Sequence, residues 1–290
     1  MNKLSIIKPF IKTNIFDKCF ISSIADDSRD IKKNSLFVAR QGVNSHGLKF
    51  AKEAIKNGAS CIISDQNLEE ELEVPFYFFN NLEEKITEIL YKFYGLNEDN
   101  FIFHGVTGTN GKTTTAFMAH NIIRELNRPS IYIGTLGAII NDSSFKTKGN
   151  TTPGIFEIFK ILKACNSKED IYVFLEISSH ALVQRRLCNL LFNQTIILNI
   201  QSDHMDYHKT YENYIDSKLS ITKLNNKNPT IIFIDHIHHL VESLSPEQKK
   251  QISASKHLSS KDTSALLNYS LEYNPEERSK INLNFLNLVL

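Results

Sequence analysis

Residues 105–113 combine glycine, lysine and threonine in a pattern that suits phosphate binding. Glycines allow backbone N–H groups to face a phosphate, Lys112 can neutralise its oxygens, and the Thr113 hydroxyl can reach Mg²⁺. The spacing differs from the Walker A motif, because Val106 occupies the position of the first glycine. An apolar run precedes the turn and a helix-compatible run follows it, which is the context that the motif requires. The sequence therefore predicts a nucleoside triphosphate site.

Two later segments carry side chains that can bind a metal ion. Glu176 directly follows a continuous apolar run at residues 171–175, which is typical of a buried parallel strand. A carboxylate at the carboxyl end of such a strand lies where open α/β sheets bind ligands, so we expect Glu176 to bind Mg²⁺. Residues 203–208 hold four potential ligands, and this number also suits a transition-metal hydrolase, although the upstream glycine-rich turn favours magnesium chemistry. The local sequence does not distinguish Lys218 from a surface lysine.

The elements that must position these segments alternate between strand and helix. Apolar runs predict strands at residues 35–39, 61–63, 75–79, 101–103, 131–137, 171–175, 195–200 and 230–234. Helical spacing and helix-ending residues predict helices at residues 48–55, 82–94, 154–164 and 211–224. This alternation indicates an α/β fold with mostly parallel sheets. We expect a small N-terminal α/β domain, residues 1–98, and a P-loop central domain, residues 99–290, whose sheet is flanked by helices.

The composition narrows the range of partners. The chain has 290 residues, of which 41% are hydrophobic and 22% are charged, and its formal net charge is +1. This balance provides no positive field that would collect nucleic acid or an anionic membrane. The four cysteines form no C-x-x-C pair, and no apolar run is long enough to span a bilayer. We therefore expect a soluble cytoplasmic protein with reduced thiols and without nucleic acid or membrane partners.

Taken together, the loops resemble the Mur ligase family, and within it the MurE-type ligases that add the third amino acid of the peptidoglycan stem. The matching motifs follow the family's order between residues 26 and 218. They are Asp27-Ser28-Arg29, the turn at 105–114, residues 134–137, residues 150–153, residues 176–182 with Gln184 and Arg186, and residues 203–208 with Tyr214 and Lys218.

The resemblance implies a reaction and its partners. ATP and Mg²⁺ would activate the free D-Glu carboxylate of UDP-MurNAc-L-Ala-D-Glu as an acyl phosphate, and the amine of meso-diaminopimelate or L-lysine would then displace phosphate. The family also has a C-terminal Rossmann-like domain that brings much of the amino-acid site. This chain stops before that domain, so we expect a truncated ligase with little activity alone, or one that a separate chain completes.

The resemblance also implies the roles of individual residues. The ATP loop comprises Gly108, Thr109, Asn110, Gly111, Lys112, Thr113 and Thr114. The UDP portion is bound by Ser28, Val43, Asn44 and Ser45, and the muramoyl and peptide portions by Asn150, Thr151, Thr152, Ser178, Gln184 and Arg186. The catalytic residues are Lys112, Glu176, His204 and Lys218, and the metal ligands are Thr113, Glu176, His204 and Lys218 as its carbamate. Carbamylation would turn an ammonium into an anion that can help to hold Mg²⁺.

Some residues depart from the family pattern. His46-Gly47 stands where many members have Asp-Gly, and Gln201-Ser202 stands where Ser-Arg or Thr-Gln is common.

Two alternative functions stay open. The first alternative is a non-catalytic nucleotide-binding remnant, against which the intact Lys112 and Glu176 argue. The second is another ligase of the superfamily, such as folylpolyglutamate synthase, which UDP-sugar binding by the N-terminal domain would exclude.

Overall fold

The computed structural model describes residues 20–233 apart from Asn44 and Asn166, and the strands at residues 267–272 and 280–285; from residue 225 onwards only the backbone is described. The strands are β1 Ser23–Ala25, β2 Ser35–Ala39, β3 Ala59–Ser64, β4 Phe76–Phe78, β5 Phe101–Thr107, β6 Ser130–Gly134, β7 Gly137–Ile140, β8 Ser143–Phe145, β9 Ile171–Glu176, β10 Phe192–Ile197, β11 Asn225–Phe233, β12 Leu267–Glu272 and β13 Lys280–Phe285. The helices are α1 Ala51–Lys56, α2 Leu82–Tyr94, α3 Lys112–Glu125, α4 Ile155–Ala164, α5 Ser179–Val183, α6 Met205–His208 and α7 Tyr211–Leu219. The predicted α/β fold is confirmed.

The N-terminal sheet has four parallel strands in the order β1-β2-β3-β4. Its side chains alternate between two buried faces, as the pleat of a strand requires. Phe37 and Ile62 pack with Ala54 of α1 on one face, whereas Leu36 and Ile63 belong to the large cluster that includes α2 on the other. Burial on both faces explains why these strands read as continuous apolar runs in the sequence.

The central sheet has seven strands in the order β11-β10-β5-β9-β6-β7-β8. The first five are parallel to one another, and β7 and β8 continue from β6 as antiparallel strands. Because parallel strands end at the same edge, the segments that follow β10, β5, β9 and β6 meet there. The predicted domain boundary at residues 98–99 stays a prediction, although the four-stranded sheet ends before it and the seven-stranded sheet begins after it.

Most predicted elements agree with the structure, and several differ in their bounds. The strand predicted at 131–137 ends at Gly134, and Gly137 begins the antiparallel β7. Helix α2 spans the predicted residues, and Gly95 ends it in the left-handed conformation with φ +62. The predicted helix at 211–224 ends earlier, because its last turn tightens into a 3₁₀ helix at Ser220–Leu224. Strand β11 begins at Asn225, earlier than the predicted residue 230, and includes Pro229; β11 borders the described sheet, and its register with β10 shifts before Thr230. Within the described chain, no helix is long and apolar enough to cross a membrane.

Candidate nucleotide-binding site

The glycine-rich turn joins the carboxyl end of β5 to the first residue of α3. Gly111 adopts a φ of +84, a conformation that side chains other than glycine rarely adopt, and the chain enters the helix at Lys112. The first helical hydrogen bond of α3 runs from the Thr115 amide to the carbonyl of the N-cap residue Gly111 at 2.9 Å. The amides at the start of a helix have no intrahelical acceptor, so the beginning of α3 provides donors for an anion.

Two lysine side chains converge on one carbonyl of the turn. Lys112 Nζ lies 2.8 Å from the Gly108 oxygen and 3.0 Å from the Thr109 oxygen. Lys218 Nζ lies 2.9 Å from the same Gly108 oxygen, although 110 residues separate it from Gly108 in the chain. Burial lowers the pKa of Lys112, and the charges of Glu176 and Asp203 oppose that shift. The Lys112 amine brings positive charge to the helix start, where a phosphate would lie.

Lys218, which the local sequence does not distinguish from a surface lysine, is buried. Only 2% of its surface is exposed, and its Nζ lies 4.7 Å from the centre of the Tyr214 ring. Burial lowers the pKa of Lys218 to about 7; the charge of Lys112 acts in the same direction and that of Asp203 against it. A buried cation beside a second cation is costly, and this cost favours the neutral amine. The local sequence carried no signal of it, because the Gly108 carbonyl that the Lys218 amine contacts lies 110 residues away in the chain.

Glu176, at the end of β9, is fully buried and accepts four hydrogen bonds. Its Oε2 accepts from the Thr113 hydroxyl at 2.9 Å and the Thr135 hydroxyl at 3.2 Å. Its Oε1 accepts from the Thr135 amide at 3.0 Å and from the Tyr132 hydroxyl. A Cβ on Gly134 would lie 2.1 Å from Oε1, so glycine is required for the carboxylate to fit. The structure thus brings the predicted pair Thr113 and Glu176 together.

Sequence reasoning missed the residues that hold the turn from the side of β10. The side-chain amide of Asn199 makes two hydrogen bonds with the backbone of Asn110. The Thr109 hydroxyl lies 2.9 Å from the Tyr214 hydroxyl, and it also bonds the backbone of Gln201. The sequence did carry a signal for Asn199, because this residue lies at the end of a core strand. The same kind of position was the reason for predicting Glu176 as a ligand-binding residue.

His204 lies apart from these contacts. Its side chain is half exposed, its Nε2 is 3.4 Å from Asp203, and its ring packs against that of His180 at 4.9 Å. None of the contacts seen for residues 20–224 joins His204 to the glycine-rich turn, so its metal role stays a prediction. In the same part of the chain, no group of three or more His, Cys, Asp or Glu side chains could hold a metal ion.

The predicted UDP residues lie in loops of the N-terminal sheet. Ser28 is buried and donates to Glu53 at 3.1 Å, whereas Val43 is exposed. The Ser45 carbonyl accepts from the Gly42 amide at 3.1 Å, and Asn44 lies outside the described residues. Their role in binding UDP stays a prediction.

The departure at His46 has a physical explanation. Its Nδ1 accepts from the Leu48 amide at 3.1 Å and so caps the following 3₁₀ turn, as an aspartate carboxylate would. Because Nδ1 is the acceptor, Nε2 carries the proton and donates to Asp65 at 2.6 Å. Histidine therefore replaces the usual aspartate without loss of the cap.

The predicted muramoyl and peptide residues form a connected group beside Glu176. The Thr152 hydroxyl is fully buried, donates to the Glu176 carbonyl at 2.9 Å and accepts from the Ser178 amide at 2.9 Å. Arg186 donates to the Thr152 carbonyl at 3.0 Å and to the Gln184 side chain at 2.8 Å. Asn150 is exposed, and the Thr151 hydroxyl accepts from Thr135 at 3.4 Å. The structure brings Thr152, Ser178, Gln184 and Arg186 together, and the contact of all six residues with substrate stays a prediction.

The parallel sheet, the glycine-rich turn and the buried acidic residue at one sheet edge define an α/β protein of the phosphate-binding loop class. Two family descriptions match the chain: the Mur ligase middle domain over residues 106–286 and the Mur ligase family catalytic domain over residues 20–88. The chain belongs to the Mur ligase family, and the predicted resemblance is confirmed.

Relatives and solved structures agree with this membership. UDP-N-acetylmuramoyl-L-alanyl-D-glutamate--2,6-diaminopimelate ligase of Clostridium tetani is 38% identical over 218 residues, which are 74% of this chain and 44% of that protein. The ligase of the same name from Bacillus velezensis is 35% identical over 205 residues, 71% of this chain and 41% of that protein. The chain therefore spans less than half the length of these relatives.

The likeness to solved structures concerns the fold. A structure of a ligase with the same name has a TM-score of 0.69 and 21% identity, covering 98% of this chain and 57% of the other. The MurF ligase of Thermotoga maritima in complex with ADP has a TM-score of 0.51 and 22% identity, covering 79% of this chain and 48% of the other.

Proposed function

We propose that this chain is the nucleotide-binding and UDP-sugar-binding portion of a cytoplasmic, ATP-dependent ligase that adds the third amino acid to UDP-MurNAc-L-Ala-D-Glu. The observation that carries the proposal is the convergence of Lys112 and Lys218 on the Gly108 carbonyl, beside the Thr113–Glu176 pair. The names of the relatives favour 2,6-diaminopimelate as the amino acid.

In the proposed reaction, a D-Glu carboxylate oxygen attacks the γ-phosphorus of ATP, and ADP leaves. The amine of the amino acid then attacks the acyl carbon of the resulting acyl phosphate, inorganic phosphate leaves, and an amide forms. Both reactants of the first step are anions, so catalysis depends on positioning and charge neutralisation. Lys112 and the amides at the start of α3 supply positive charge to the phosphates, and the Lys112 ammonium has a third N–H donor besides the two that it donates to the turn.

The donor set of the site fits Mg²⁺. Thr113 and Glu176 offer only oxygen atoms, which this ion prefers, and phosphate oxygens would complete its coordination. The ion would neutralise the phosphates and orient them. Lys218 fits this group only after its amine has reacted with CO₂ to give a carbamate and a proton, and its buried side chain and lowered pKa favour the neutral amine that this reaction needs. The proposed role of His204 as a further metal ligand rests on the family resemblance.

The experiment measures binding and turnover by the purified chain. Calorimetry with MgATP and with UDP-MurNAc-L-Ala-D-Glu is expected to show both ligands binding, and phosphate release is expected only when both are present. Lys112→Met should weaken MgATP binding at least tenfold, whereas the matched surface variant Lys160→Met should not. Binding of both ligands without phosphate release supports the non-catalytic alternative. Binding of a folate in place of the UDP-sugar supports a folylpolyglutamate-type ligase, and failure to bind MgATP refutes the proposal.

A further inference from the structure

The segment that follows β10 holds the glycine-rich turn through one asparagine. Asn199 Oδ1 accepts from the Asn110 amide at 2.9 Å, and Asn199 Nδ2 donates to the Asn110 carbonyl at 3.1 Å. The backbone carbonyl of Asn199 accepts from the Thr109 amide at 3.1 Å. Three polar backbone groups of the turn are thus bonded to a single residue that is 89 positions away from Asn110 in the chain.

These contacts determine which amides of the turn can reach a ligand. The amides of Thr109 and Asn110 are already donated to Asn199, so they are not available to a phosphate. The amides of Gly111 and of the first residues of α3 make no contact with Asn199 and are available as donors. A turn that is held in one shape before a ligand arrives loses less conformational entropy on binding.

We infer that Asn199 is a positioning residue, which holds the glycine-rich turn in the shape that presents the α3 amides to a nucleotide phosphate. The inference rests on the proposed function and deepens it. This positioning role requires a side-chain amide at position 199. A carboxylate can accept from the Asn110 backbone but cannot donate to it, and an alanine side chain can do neither. Asn199 itself need not touch the nucleotide.

The same strand offers a matched control. Asn193, near the start of β10, accepts from the Phe103 amide of β5 at 2.9 Å. This contact also joins an asparagine side chain of the β10 segment to the backbone of the β5 segment, but Phe103 precedes the end of β5 by four residues. Asn193→Ala therefore removes a similar hydrogen bond away from the turn.

The test compares Asn199→Ala, Asn199→Asp and Asn193→Ala in the full chain. Calorimetry with MgATP is expected to show an affinity about tenfold lower for Asn199→Ala, since two hydrogen bonds that shape the turn are lost. Asn199→Asp should also bind less well than the unmodified chain, and Asn193→Ala should bind equally well. Thermal unfolding of all three identifies any variant that has lost its fold.

Amide hydrogen exchange provides a readout that needs no nucleotide. Exchange at the Asn110 amide, whose acceptor is the Asn199 side chain, should accelerate at least tenfold in Asn199→Ala and stay unchanged in Asn193→Ala. Equal exchange and equal affinity in the two alanine variants would refute the positioning role. If the unmodified chain does not bind MgATP, the proposed function fails, and exchange at Asn110 still decides whether Asn199 holds the turn.

Discussion

The edge of the seven-stranded sheet and the loops of the N-terminal sheet hold their polar groups in different ways. At the central edge, the Glu176 carboxylate is fully buried and bonds Thr113, which is 63 positions away. In the N-terminal loops, Asp27 bonds Arg29, which is two positions away and largely exposed. The central edge is therefore a buried network that only the assembled fold can form, whereas the Asp27–Arg29 pair is a local, solvated ion pair. Substitutions should therefore lower the free energy of unfolding more at the central edge than in the N-terminal loops.

The largest effect is expected from the acidic residues of the two regions. Glu176→Ala would leave the donors of Thr113, Thr135 and Tyr132 without their acceptor in a buried site, and the free energy of unfolding should fall by about 3 kcal/mol or more. Glu53→Ala removes one contact, from Ser28, at an exposed carboxylate and should cost about 0.5 kcal/mol. Urea unfolding at pH 7 measures both, and equal costs would contradict the comparison.

A second test adds a single methyl group to the buried network. In Gly134→Ala the new Cβ would lie 2.1 Å from Glu176 Oε1, so the carboxylate or the strand must move. We expect a loss of about 2 kcal/mol, the usual cost of overpacking. Gly154→Ala is the control, because a Cβ there meets no atom within 4 Å; it should cost less than about 1 kcal/mol. Denaturant midpoints compare the two, and a wild-type midpoint for Gly134→Ala would show that the network is loosely packed.

The central sheet should also dominate the loss of stability in acid. The His104 ring stacks on the rings of Phe174 and Tyr172, and burial lowers the pKa of His104 to about 4, while a hydrogen bond to Gln194 opposes the shift. The unfolded chain binds this proton near pH 6.5, so the stabilisation is fully present above pH 6.5 and is lost as the pH falls towards 4.

His104→Phe keeps an aromatic ring in this position and removes the titration. Between pH 7 and pH 4.5, the unmodified chain should therefore lose about 2 kcal/mol more stability than the variant, as measured by urea unfolding at several pH values. Parallel pH profiles for the two proteins would mean that His104 titrates alike in the folded and unfolded states.

The smallest effect is expected for the ion pairs that join the two regions. Lys148 contacts Asp30, and its Nζ lies 3.8 Å from Asp27, but its side chain is half exposed. Lys148→Met should change the free energy of unfolding by less than about 1 kcal/mol, and the change should shrink in 1 M NaCl because solvent and salt screen such pairs. The exposed Lys146→Met serves as the control. If the free energy of unfolding instead falls by several kcal/mol and the loss persists in high salt, these ion pairs contribute as much to stability as the central edge does, which contradicts the comparison.

Local patterns in the sequence were enough to predict the framework of the site. The glycine-rich turn was predicted from an apolar run, a set of glycines and a helix start, all within about 15 residues. Glu176 was predicted at a strand end because the run before it is continuously apolar. These features depend on neighbours along the chain, so they can be read before the strand order is known.

The tertiary structure alone decided which distant residues complete that framework. Lys218 is buried because the turn and Tyr214 surround it, and Asn199 reaches Asn110 because β10 lies beside β5. Gly134 must be glycine because the β6 segment runs beside β9, so that the Glu176 side chain fills the space of a Cβ. Such relations depend on the order and register of strands that lie far apart in the chain, and no local spacing encodes them.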